Sequence, residues 1–98
     1  MLLKIAVCDD EAIHRLIIRD KLDKFAISND VDYELDEFCT SEELLKIKNI
    51  YDILFLDIQL ENGVNSIEIG KQLIQDGLDA TIILTTSFEQ YAADGYHL

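Results

Sequence analysis

Ile53-Leu54-Phe55-Leu56-Asp57 is a run of four apolar residues closed by a carboxylate, and Leu3-Lys4-Ile5-Ala6-Val7-Cys8 closes in the same way on Asp9-Asp10-Glu11. Short apolar runs of this kind read as strands buried on both faces of a parallel sheet. In an open α/β sheet, ligands bind outside the carboxyl ends of the strands. Two such runs ending in acids therefore converge on one site. Carboxylates crowded there repel one another unless a hard cation such as Mg²⁺ neutralises them. The arrangement points to metal-dependent phosphoryl chemistry on an aspartate.

Working outward, the chain alternates strand and helix patterns. Ala12 to about Ala26 is helical, with Ile18, Leu22 and Phe25 spaced i, i+4, i+7. Ile13, Leu16 and Ile17 add more apolar surface than one sheet contact needs. Val31 to Phe38 reads as an outer strand after the Ser28-Asn29-Asp30 turn. Thr40 and Glu43 form a capping box for a helix from Ser41 to about Lys48. Ile53 to Leu56 is the third strand. Ser66 is the expected cap of a helix reaching about Gln75, before the Asp76-Gly77 break, and Thr81 to Thr85 is the fourth strand. Ser87 and Gln90 open a last helix towards Tyr96. The order β-α-β-α-β-α-β-α specifies a doubly wound parallel α/β sheet with right-handed crossovers, in one domain covering residues 1–98. No apolar run remains for a fifth strand and helix.

Composition narrows the function classes. Twenty acids against 8 bases give a net charge of -12, which argues against this segment binding nucleic acid or an anionic membrane by itself. No apolar run has the length of a membrane span, so the chain reads as cytoplasmic with no membrane partner. Cys8 and Cys39 have no metal-ligand spacing, and both are expected to be small buried packing thiols. His14 reads as an exposed residue on the first helix.

Cys8-Asp9-Asp10-Glu11, Phe55-Leu56-Asp57-Ile58-Gln59-Leu60 and Leu84-Thr85-Thr86-Ser87, in this order and at these strand ends, resemble the receiver domain of two-component response regulators. Phe88-Glu89-Gln90-Tyr91-Ala92 after the Thr-Thr pair resembles the LytTR-type (LytR/AgrA-like) subset. The resemblance implies a flavodoxin-like receiver fold of strand order 2-1-3-4-5, cut short before its fifth strand, with an output domain beyond residue 98. It implies that Asp57 is the phosphoacceptor, that Asp10 is the main Mg²⁺ carboxylate with Asp9 holding metal-bound water, and that Gln59 lends its backbone carbonyl. Thr86 would be the switch hydroxyl, with Thr85 as the alternative. The implied partners are a sensor histidine kinase, a second copy on activation, and DNA through a C-terminal domain only. The chain would be a phosphorylation-controlled switch of transcription rather than an enzyme.

Two departures from the family pattern stand out. The loop Leu60-Glu61-Asn62-Gly63-Val64-Asn65 lacks the usual proline and is one residue longer. The lysine that ends strand five has no counterpart, because the last lysine, Lys71, falls in the third helix. Two other readings stay open: a receiver-like interaction module that takes no phosphate, and a Mg²⁺-dependent aspartyl phosphohydrolase. The second normally wants an acid two residues after the nucleophile, where this chain has Gln59.

Overall fold

The computed structural model describes residues 2–46, 50–58, 65–85 and 96–97. Its elements are β1 (Leu2–Cys8), α1 (Ala12–Asn29), β2 (Asp32–Phe38), α2 (Ser41–Leu44), β3 (Ile53–Asp57), α3 (Ser66–Gln75), β4 (Thr81–Thr85) and β5 (Tyr96–His97). They form one sheet of order β2-β1-β3-β4-β5, whose first four strands are parallel. The doubly wound sheet expected from the strand pattern, in the order that the resemblance implies, is therefore observed. One detail differs. The fourth strand was expected to be a bare edge with no fifth strand in the chain, yet Ile83 and Leu84 of β4 pair antiparallel with His97 and Tyr96 of β5. Two residues carry no periodicity, so nothing in the pattern announces such a strand.

The sheet has two unlike faces. On one, Ala6, Cys8, Leu54, Leu56, Ile82 and Leu84 pack with Leu44 of α2 and Leu73 of α3 into the core. On the other lies α1, which has no buried residue. Ile18, Leu22 and Ala26 are half-buried, whereas Phe25, assigned to the inward stripe, is half exposed. The inward stripe thus runs i, i+4, i+8, one residue off the expected spacing and slanting around the helix.

Element ends follow local chemistry. Thr40 Oγ1 accepts from Glu43 N at 3.2 Å, as the capping box requires, although α2 stops at Leu44. Asn65, not Ser66, caps α3: its Oδ1 accepts from Ile67 N at 3.1 Å and Glu68 N at 3.3 Å. Ser66 is instead the first helical residue and is buried. α1 ends at Asp30, which takes the left-handed conformation with φ 51°. Gly77, at φ 100°, turns the chain out of α3 where a side chain would be strained. At the amino ends of the strands, Asp52 bonds Lys4 through both backbone and side chain, and its carbonyl accepts from Thr81 N at 3.0 Å. That clamp sets the register of β1, β3 and β4 and so aligns their opposite ends.

Candidate functional site

At the carboxyl ends of β1 and β3, register brings the acids together. Cys8 lies opposite Leu56, so Asp9 and Asp57 follow on adjacent strands. Both are buried, Asp9 at 2% and Asp57 at 5% exposure. Burying two carboxylates side by side is costly without compensation. Part of the compensation is visible around Asp9. Its Oδ1 accepts from Glu11 N at 2.9 Å, its Oδ2 faces His14 Nδ1 at 3.3 Å, and its carbonyl accepts from Arg15 Nη1 at 2.6 Å. Arg15 also donates from Nε to Glu37 on β2, which pins the start of α1 to the sheet.

Burial still dominates: it raises the Asp9 carboxyl above its ordinary range, against the lowering effect of the Glu11 amide and the His14 ring. The next residue back shows the same environment, since burial, with Asp9 and Asp57 nearby, pushes the Cys8 thiol up to about 12. Cys8 is thus a packing thiol, as expected. Cys39 is exposed rather than buried, because β2 ends at Phe38 and the chain there turns outward towards the α2 cap.

One ligand atom each from Asp9, Asp57 and His14 lie within 4.8 Å of one another, close enough to share one ion. His14 was expected to be exposed; it is half-buried and aimed at the acids. Its Nε2 also meets Glu11 Oε2 at 2.9 Å, an i, i+3 pair. That spacing, with an acid at the helix start and a histidine one turn on, was the sequence signal available for it. Asp10 lies beside this group, half-buried, so the carboxylate that joins Asp57 here is that of Asp9. Gln59 and Thr86 lie outside the described residues. Thr85 pairs in register with Asp57, and its Oγ1 is buried without a hydrogen-bond partner among the described residues. The β4 carbonyl at Thr85 accepts from Ile58 N at 2.7 Å, which holds the backbone after Asp57 against β4.

No family model and no curated protein sequence matches the chain. Solved structures do. The response regulator protein TrrA from Thermotoga maritima, in complex with Mg²⁺-BeF, is 31% identical with a TM-score of 0.72; the match covers 94% of this chain and 76% of that one. The BeF₃-activated receiver domain of DrrB, from the same organism, is 24% identical with a TM-score of 0.70, over 92% of this chain and 72% of its own. RcsB from Salmonella enterica is 20% identical with a TM-score of 0.68, over 89% and 71%. The last two bear on the fold alone. The TrrA match, with the acids of β1 and β3 meeting at the strand ends, places this chain in the family of response regulator receiver domains.

Proposed function

We propose that the chain is the phosphoacceptor switch of a two-component system, with Asp57 as the residue that takes the phosphoryl group from a sensor histidine kinase. The observation that carries this reading is the burial of Asp57 beside Asp9 and His14 at the carboxyl ends of adjacent strands. An Asp57 oxygen would attack phosphorus as the bond from phosphorus to the histidine nitrogen breaks, leaving an acyl phosphate on Asp57 and a neutral imidazole on the kinase. Hard oxygen donors on Asp9 and Asp57, with Asp10 adjacent, fit Mg²⁺. When bound, the ion supplies positive charge to the crowded carboxylates and to the transferred group. The complex of TrrA with Mg²⁺-BeF supports that choice.

A hydroxyl at the end of β4 would then engage the phosphoryl group and bias β4 and the chain after it between two arrangements. Thr86 is the assigned hydroxyl. The buried Oγ1 of Thr85, without a hydrogen-bond partner among the described residues and in register with Asp57, keeps Thr85 as the alternative. The reading extends to a second copy of the chain on activation, to cytoplasmic location, to transcription as the output, and to the LytTR-type subset on the wording Phe88-Glu89-Gln90-Tyr91-Ala92. A net charge of -12 favours DNA contact through a further domain rather than through this one. Among the described helices none is long and apolar enough to cross a membrane.

Intact mass after incubation with a small-molecule phosphodonor and Mg²⁺ tests the assignment. Wild type should gain one phosphoryl group and Asp57→Asn none. Equal labelling of both proteins would remove Asp57 from the role.

A further inference from the structure

The receiver reading takes its metal from oxygen donors, yet the described site also holds a nitrogen. His14 Nδ1 faces Asp9 Oδ2 at 3.3 Å, while Nε2 lies 2.9 Å from Glu11 Oε2. A neutral imidazole has one N–H. If that N–H donates to Glu11 from Nε2, the lone pair on Nδ1 is left pointing into the group formed with Asp9 and Asp57. A lone pair facing a carboxylate is repulsive, and a cation between them turns the contact into attraction. A ring held by a carboxylate through one nitrogen while the other meets a metal is also how proteins fix a histidine ligand.

We infer that His14 is a metal-selecting ligand: Nδ1 enters the coordination shell of the ion held by Asp9 and Asp57, with Glu11 orienting the ring. Two carboxylate oxygens and one imidazole nitrogen suit borderline transition-metal dications such as Mn²⁺, Co²⁺ and Zn²⁺ better than Mg²⁺, which prefers an all-oxygen shell. The site therefore discriminates among dications through a residue on α1 that is no part of the acidic strand ends. The inference rests on the receiver reading only in placing an ion at Asp57. It adds that the ion has a nitrogen neighbour supplied by His14.

The test is binding of Mg²⁺, Co²⁺ and Mn²⁺ to the intact chain and to His14→Gln, Glu11→Gln and Asp57→Asn, with circular dichroism as the check on folding. In His14→Gln the Kd for Co²⁺ should rise about tenfold or more while that for Mg²⁺ moves less than about twofold. Glu11→Gln should weaken Co²⁺ by a smaller factor. Bound Mn²⁺ should show spin-echo modulation from a coordinated ¹⁴N in wild type, and His14→Gln should lose it.

If Mg²⁺ binds and Asp57→Asn abolishes it, but the ¹⁴N signal is absent or survives in His14→Gln, the receiver site stands and the inference is overturned. His14 is then only a bridge between Asp9 and Glu11. If no dication binds any variant, the metal reading of the site fails and the inference with it.

Discussion

The two faces of the sheet are built to different standards. The face under α2 and α3 is closed: Leu54, Leu56 and Ile82 of the strands have no exposure, and Leu44 of α2 and Leu73 of α3 seal them. On the α1 face Ile5 and Val7 are buried too, but α1 itself is left open. Ile13, Leu16, Ile17, Phe25 and Ile27 all lie exposed along one helix that buries none of its residues. Yet α1 is the longer helix and contributes His14 and Arg15 to the site. Burial stabilises both sides, since Ile5 and Val7 of β1 are as buried as the core leucines, but on this side polar links from the first turns of α1 to Asp9 and Glu37 add to it. Site and scaffold are thus partly separable, and substitutions on the two faces should differ sharply.

The largest contrast is between Leu54→Ala and Leu16→Ala. Leu54 has 0% exposure and Leu16 59%. Leaving a cavity in the closed core should cost about 2–5 kcal/mol, whereas truncating Leu16 should stay within about 0.5 kcal/mol. Urea unfolding of the two variants measures both. A cost at Leu16 comparable to that at Leu54 would mean that the α1 face is covered in solution, and the contrast between the faces would collapse.

A middle-sized effect concerns how the helices start. α3 begins on an Asn65 side chain that accepts two backbone amides, whereas α1 begins at Glu11 with no side-chain cap of its own. Asn65→Ala should cost about 1 kcal/mol. A loss of under a few tenths, read from the same unfolding curves, would show that burial of Leu73 and Ser66 holds α3 without its cap.

Much of this was legible in the residues. The runs ending at Cys8, Leu56 and Thr85 read as buried strands because such short continuous apolar stretches, bounded by polar residues, suit a sheet interior, and the converging acids followed from their ends. What was not legible depends on geometry that one-dimensional spacing leaves free. Asn65 and Ser66 are both good caps, and only the backbone's point of entry into the helix chooses between them. His14 shares its helix with exposed neighbours, so its direction depends on how Arg15 and Asp9 anchor the first turn. Cys39 and Phe25 moved outward by the drift of one residue past a strand end and a helix stripe. β5 is too short to leave a pattern at all.

The smallest expected effect tests the electrostatics that the two faces share. Burial raises the Asp9 carboxyl above the value of 3.8 that an ordinary aspartate has. The folded chain therefore holds that proton more tightly than the unfolded chain. The stability this gives is fully present below the unfolded pKa and is lost as pH rises through the folded one, so stability falls across that window as Asp9 ionises. At neutral pH the fold carries a buried carboxylate next to a second one at Asp57. Asp9→Asn keeps the shape and removes the charge. It should match wild type in strong acid and exceed it at neutral pH, with the gap opening above the ordinary aspartate range. Titration of acids away from the site is common to both proteins and cancels in the difference. Added Mg²⁺ should then close the gap from the wild-type side, by binding and stabilising the two-carboxylate site that the variant lacks. Melting temperatures of both proteins across pH, with and without Mg²⁺, decide it. A variant less stable than wild type at neutral pH without metal would mean that the contacts of the Asp9 carboxylate with the Glu11 amide and the His14 ring outweigh burial. The start of α1 would then be the best-satisfied part of the open face.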